Sequence, residues 1–296
     1  MRNDNITMLQ NTLDIFTQGY YIKSGKRINL KLLPEQMREI AVYLPKDIQA
    51  IRDNEAFSMK NSGSQIQIDC LNMDSYSVAR RRAKDRTLSL DPEKKQQVLV
   101  LNLANPVHPG GGVRLGTRAQ EEDLCRKSSL LLALETEEAA EYYNYNKALH
   151  TYMGSDALMI TPQVEIIRDE DGELLEESVT VAVMTCAAPM LRNGMEGRSE
   201  QEYEDMMCQR MRGMLTVAAH LGYQMLVLGA WGCGAFGNDA HVVSDLFCRS
   251  IKEFDYAGGK SEDYFRSIDF AVLDHSGNQY NFKEFSRNFK KFHQEI

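Results

Sequence analysis

The sequence predicts a three-layer α/β/α sandwich, and three observations predict it. Apolar runs of strand length at residues 98–104, 179–187, 225–228 and 268–273 alternate with segments whose apolar residues recur at helical spacing. Helix start signals stand between them: Asp74 or Ser75, Ser199 with Glu202 three residues on, and Asp239. Two glycine-rich stretches, Gly110-Gly111-Gly112 and residues 229–238, begin where apolar strands end. Open α/β sheets bind their ligands at that edge, beyond the carboxyl ends of the strands.

In chain order, residues 1–70 read as an N-terminal, mainly helical extension and residues 71–296 as the main domain. A helix capped at Asp4 or Asn5 carries Ile6, Leu9, Leu13 and Phe16 on one face. The alternating stretch 21–28 turns at Ser24-Gly25 as a hairpin. A second helix is expected to open at Pro34 and to run through Met37, Ile40 and Tyr43. Strand and helix alternation begins at about residue 65. A helix from Asp74 or Ser75 passes through Val78 and Arg82, and 98–104 is a buried strand. Residues 121–150 read as helical, with Leu124, Leu130, Leu131 and Leu134 on the apolar face. Short strands at 157–160 and 163–167 precede a turn at 169–172. A strand at 179–187 and a long helix from 199 to 219 follow. A strand at 225–228, a helix opened by Asp239, a strand at 268–273 and a C-terminal helix complete the chain.

Bulk properties exclude several classes. At 296 residues there is room for one large domain, or one domain with an appendage. The net charge of −8 has the wrong sign for gripping nucleic-acid phosphates through a basic face. The one basic cluster, Arg80-Arg81-Arg82-Ala83-Lys84, reads as a solvated helix face. No apolar stretch has the length of a membrane span, and the first residues lack a signal-peptide core. The six cysteines form no C-x-x-C pair, and the six histidines lack metal-ligand spacing. A cytoplasmic protein with no metal site, disulfide framework or cofactor is the expectation.

The chemistry concentrates between Asn102 and Asp123. Three glycines strip a loop of side chains, so that backbone N–H groups approach an anion closely. Seven residues later comes Gln120-Glu121-Glu122. No Gly-Lys-Ser or Gly-Lys-Thr follows, which excludes the phosphate loop of ordinary phosphoryl transfer. Consecutive helical residues differ by about 100°, so the two glutamates take different roles. One holds sugar hydroxyls and the other faces the scissile bond, with Gln120 orienting either. Acids complementing a helix dipole are the plainer explanation of such a pair; its place behind a glycine loop favours catalysis. Asn102 and Asn105 flank the strand end, where they reach ribose hydroxyls or satisfy loop backbone. His108 reads as a packing or solvent residue. In the second loop, Gly232, Cys233, Gly234, Ala235, Phe236, Gly237 and Asn238 offer diphosphate-binding amides beside a helix N-terminus. Trp231 reads as the packing of a tight turn; Phe236 serves either packing or a ribose or base. Cys125 and Cys233 have no histidine close in sequence and are assigned no chemistry.

Gly110-Gly111-Gly112, seven residues and Gln120-Glu121-Glu122 together resemble the GGG-x(6–8)-QEE signature of poly(ADP-ribose) glycohydrolases. NLANPVHPGGGV, QEEDLCRKSSLL and GAWGCGAFGND are similar to the bacterial-type branch of that macrodomain family, over about residues 70–275. The resemblance implies a macrodomain-like sandwich with a mixed central sheet and a helical N-terminal extension. It implies that Glu122 is catalytic and that Glu121 holds ribose hydroxyls. It also implies that the three glycines bend around the diphosphate and distal ribose, near Asn105. The stretch from Gly232 to Gly237 then cradles the diphosphate from the other side, with Phe236 near the ribose or adenine. The expected ligands are poly(ADP-ribose), ADP-ribose and ADP-ribosylated proteins. Three other readings stand beside this one: a reader that binds ADP-ribose without cleaving it, a hydrolase of mono-ADP-ribosylated protein or nucleobase, and a nucleotide-binding structural domain.

Overall fold

The computed structural model describes residues 2–54, 66–85 and 98–295. The chain opens with helix α1 (Arg2–Gln18), the hairpin β1 (Tyr20–Lys23) and β2 (Lys26–Asn29), strand β3 (Ala41–Tyr43) and helix α2 (Pro45–Asp53). Next come β4 (Gln67–Leu71), α3 (Ser75–Ala83), β5 (Val98–Leu103), α4 (Gln120–Lys127), α5 (Leu130–Leu134) and α6 (Glu137–Ala148). The long hairpin β6 (Leu158–Arg168) and β7 (Leu174–Cys186) leads to α7 (Glu200–His220), β8 (Met225–Gly229) and α8 (Ala240–Lys252). A short α9 (Ser261–Tyr264), β9 (Ser267–Ala271) and α10 (Tyr280–Glu295) close the fold.

Seven strands form one mixed sheet in the order β3-β6-β7-β5-β8-β9-β4. The five strands from β7 to β4 run parallel, while β6 is antiparallel to both of its neighbours. Side chains alternate across the pleat, so each central strand feeds two cores. Leu99, Leu101, Met184, Leu226 and Phe270 lie under α2, α7, α8 and α10. Val98, Val100, Val181, Val183 and Val227 lie under α3, α4, α5 and α6. These are the three layers expected. Local capping explains the helix starts: Asp74 caps α3, Ser199 and Glu202 form a capping box on α7, and Asp239 caps α8. No helix among the described residues is long and apolar enough to cross a membrane.

Three expectations fail where distant partners decide. The helix expected from Pro34 is a single 3-10 turn at Gln36–Arg38, followed by β3. Val42 and Tyr43 are good strand residues, and Val42 pairs with Met159 at the sheet edge; the helix begins only at Pro45. The stretch 121–150 divides into α4, α5 and α6. At the first break the Ser129 N–H donates to the Glu165 carbonyl and the Glu165 N–H to the Ser129 hydroxyl, so bonds to β6 replace helical ones. The two short strands at 157–160 and 163–167 are one strand, β6, with a register shift between Thr161 and Val164 around Pro162.

The first 71 residues are joined to the sheet at both edges. β3 forms one edge and β4 the other, α2 packs on α7 through Ile48, and α1 supplies Leu9 to the α3–α6 core. Buried Glu165 accepts from the N–H groups of Lys31 and Leu32, which holds this segment against β6. The change of pattern expected near residue 65 lies outside the described residues.

Candidate active site

β7, β5 and β8 are adjacent and parallel, so their carboxyl ends share one edge of the sheet. The loops 187–198, 104–119 and 230–239 meet there. The Trp231 indole donates to the Cys186 carbonyl at 2.9 Å, and the Arg192 N–H donates to the Phe236 carbonyl at 3.2 Å. The second glycine loop is thereby tied to the end of β7 and the 187–198 loop, and the first glycine loop leaves β5, the strand between β7 and β8.

Gln120, Glu121 and Glu122 form the first turn of α4. The Gln120 amide is engaged within the protein. It accepts from Leu103 N–H at 2.9 Å and donates to the Leu101 carbonyl at 2.8 Å and the Ser75 hydroxyl at 3.0 Å. These bonds fasten α4 to the end of β5. Glu121 is only 3% exposed and Glu122 8%. On Glu121, Oε1 accepts from the Asn102 amide at 3.2 Å and Oε2 from the Asn105 N–H at 2.7 Å. Burial pushes its carboxyl up to about 8, against the pull of the Asn105 and Asn102 donors and with a contribution from the Glu122 charge. On Glu122, Oε1 accepts from the Gly112 N–H and the Thr117 hydroxyl, both at 3.0 Å. Its Oε2 is buried without a hydrogen-bond partner, as is Oδ1 of Asn102. A buried polar atom left unsatisfied costs about 1–3 kcal/mol, so both oxygens call for a hydrogen-bond partner from outside the chain.

The glycine triplet lies against the two glutamates. Gly111 has φ +58, and a Cβ there would stand 2.7 Å from Glu122 Oε1 and 3.1 Å from Glu121 Oε2. The missing side chain lets the loop lie directly on two carboxyl groups. The amides turn inward: Gly110 toward Glu121, Gly111 to the His108 carbonyl and Gly112 to Glu122. Two of these N–H groups, those of Gly110 and Gly112, face the chain's own acids, and that of Gly111 closes the turn. Asn105 likewise shapes the loop, its Oδ1 accepting from the N–H groups of Val107 and His108 at 2.9 Å. His108 itself is exposed.

The second loop presents its amides outward. The N–H groups of Gly234, Ala235 and Phe236 find no acceptor among the described residues, and Gly234 and Ala235 are exposed. Consecutive free amides ahead of a helix N-terminus make an anion-binding concavity. Asn238 is buried and braces the loop. It donates to the carbonyls of Pro189 at 2.8 Å and Gly232 at 3.0 Å, and accepts from the Tyr203 hydroxyl at 2.7 Å. Gly232 and Gly237, both with φ +78, bend the loop around it. Trp231 is fully buried against Phe247, and Phe236 is half-buried at the rim. Burial raises the pKa of the Cys125 and Cys233 thiols, which keeps them protonated and inert.

Sequence reading missed Thr117 and Arg126, whose contacts reach Glu122, and Arg192, which backs the second loop. No spacing marks them. Only the placement of Thr117 five residues ahead of Glu122, on the loop that must return to α4, offered a hint.

Comparison with known proteins places this geometry. The sequence matches the family model described as microbial-type PARG, catalytic domain, over residues 9–169. The poly(ADP-ribose) glycohydrolase (PARG) of Thermomonospora curvata superposes with a TM-score of 0.84 at 30% identity, covering 97% of this chain and 100% of that one. The same enzyme bound to the inhibitor ADP-HPD gives 0.82 at 30% identity with the same coverage. The glycohydrolase of Deinococcus radiodurans in complex with ADP-ribose gives 0.75 at 30% identity, covering 89% of this chain and 99% of that one. A search of curated protein sequences returns no match.

Proposed function

This chain belongs to the microbial-type poly(ADP-ribose) glycohydrolases, and on that premise we propose that it hydrolyses ribose–ribose O-glycosidic bonds of poly(ADP-ribose), with Glu122 moving the proton. The observation that carries the assignment of Glu122 is the asymmetry of its carboxyl group. Oε1 already accepts two hydrogen bonds, while buried Oε2 has none. In the neutral acid the hydrogen therefore belongs on Oε2, the oxygen free to give it away.

The steps balance with one water. Oε2–H protonates the leaving ribose oxygen as the anomeric C–O bond breaks, and that bond's electron pair leaves with the oxygen as a hydroxyl. The ribosyl group left behind has oxocarbenium character. The Glu122 carboxylate then takes a proton from water, whose oxygen bonds to the anomeric carbon, and the acid is restored. One carboxyl serves as both acid and base, unlike the two-carboxylate arrangement of most glycosidases. Glu121 lies beside Glu122 and shares the Gly111 contact; its assigned role is to hold ribose hydroxyls at the scissile bond, next to Asn102 and Asn105. The diphosphate is assigned to the free amides of Gly234, Ala235 and Phe236, with the Phe236 ring against ribose or adenine. Amides rather than lysines suit a chain of net charge −8.

The same proposal includes ADP-ribosylated proteins as partners and the cytoplasm as location. Six unpaired cysteines fit a reducing compartment. Residues 71–296 carry every group assigned to the reaction, and residues 1–70 are assigned to the N-terminal extension.

Glu122→Gln keeps the shape and removes the acid. Hydrolysis of polymer is expected to fall by about 10²–10⁴, the usual worth of general acid–base catalysis, while ADP-ribose binding by calorimetry stays close to wild type. Cleavage at near wild-type rate sinks the assignment. Polymer compared with mono-ADP-ribosylated protein in that assay separates the two substrates, and binding without release by the wild-type chain marks a reader.

A further inference from the structure

We infer that Thr117, pinned between Arg126 and helix α1, is the positioning residue for the Glu122 carboxyl, so that the N-terminal extension is part of the catalytic architecture. The inference rests on Glu122 being the proton-transfer group.

Thr117 is held from three directions. Its hydroxyl donates to Glu122 Oε1 at 3.0 Å. Its carbonyl accepts from Arg126 Nη1 at 2.8 Å, and its N–H donates to the Gly112 carbonyl at 3.3 Å. Arg126 lies on α4 one turn beyond Glu122 and is only 4% exposed. Helix α1 closes the turn from outside. The Thr12 hydroxyl donates to the Arg126 carbonyl at 2.7 Å, and the Asn5 amide donates to the Gly116 carbonyl at 3.0 Å. A Cβ at Gly116 would stand 2.5 Å from the Arg2 carbonyl oxygen, so α1 lies directly on this turn.

The consequence is chemical as well as mechanical. With Thr117 and Gly112 both donating to Oε1, that oxygen stays an acceptor in either protonation state of Glu122. The transferable hydrogen is confined to Oε2, and the carboxyl plane is fixed. Without the hydroxyl, Oε1 keeps one donor, and the hydrogen is free to reside on the wrong oxygen in part of the population. Thr117 touches no reacting atom in this scheme. It acts through Glu122, so its loss reduces turnover and leaves ground-state binding alone.

Thr117→Val removes the hydroxyl at constant shape. The expected result is a fall in kcat of about 10- to 100-fold, the range for losing a hydrogen bond to an ionisable group, with KM and ADP-ribose affinity within about twofold. Thr117→Ser is expected to restore kcat to within a few-fold. Asn5→Ala, on α1 and remote from substrate, is expected to lower kcat by a smaller factor with KM unchanged. Wild-type kcat in Thr117→Val overturns the inference, as does a parallel loss of kcat and affinity that Ser fails to rescue. If Thr117→Val does not fold, Asn5→Ala decides: unchanged kcat with a lowered melting temperature means that α1 is only structural. Glu122→Gln in the same assay isolates the premise: if it still turns over, the function assigned to Glu122 fails and not the bond from Thr117.

Discussion

Glu121 and Glu122 are adjacent and similarly buried, yet their oxygens have different company. Both oxygens of Glu121 receive donors from Asn102 and Asn105, and its pKa is about 8 against an ordinary 4.5, chiefly because it is buried. The folded chain therefore keeps a proton there that the unfolded chain has released. This contribution to stability is fully present below pH 4.5 and is lost as pH rises toward about 8. The melting temperature is expected to decline across that window. Glu121→Gln, which cannot ionise, should flatten the decline in scanning calorimetry; an unchanged slope would place the titration elsewhere. Much of this pair was legible in the sequence, because two acids opening a helix behind three glycines is a local pattern. What each carboxyl oxygen touches was not. An amide turned toward an external anion and one turned toward the chain's own carboxylate both require glycine, so the sequence does not show that the amides of Gly110 and Gly112 face Glu121 and Glu122. Thr117 carried no signal, since its importance comes from Arg126 and α1.

Among the elements, those governed by local chemistry were legible and those governed by distant pairing were not. Asp74, Ser199 with Glu202, and Asp239 announce α3, α7 and α8 because a cap is settled within four residues. β3 and the break between α4 and α5 are decided by β6, more than a hundred residues beyond Val42 in the first case. The second glycine loop shows the same contrast. Its glycines were visible, but its rigidity comes from Asn238, Pro189 on the 187–198 loop and Tyr203 on α7. Tyr203→Phe tests this bracing without altering the loop or its exposed amides. Losing one buried hydroxyl partner of Asn238 is expected to cost about 1–3 kcal/mol of stability, since the Asn238 oxygen is then left unpaired. ADP-ribose affinity, read by calorimetry, is expected to weaken severalfold, and the residual kcat at saturation to stay near wild type. Unchanged affinity would mean that the loop holds its shape without the brace.

At the scale of the whole molecule, the three layers followed from strand and helix alternation, while the origin of the sheet's edges did not. Both edges come from the first 71 residues, β3 against β6 and β4 against β9. A division at residue 70 would cut through β4 itself. It would also strip Asp69 from the buried Arg82 guanidinium, which the structure holds between Asp69 at 2.7 Å and Asp269 at 2.6 Å. The β9 edge so exposed is fully buried in the intact chain from Ser267 to Ala271, and an uncovered apolar edge strand promotes association. A chain truncated to residues 71–296, although it keeps Glu122 and both glycine loops, is therefore expected to aggregate or to lack cooperative thermal unfolding by circular dichroism. A truncated chain that unfolds cooperatively, binds ADP-ribose and cleaves polymer would show that the edges supplied by the extension are dispensable.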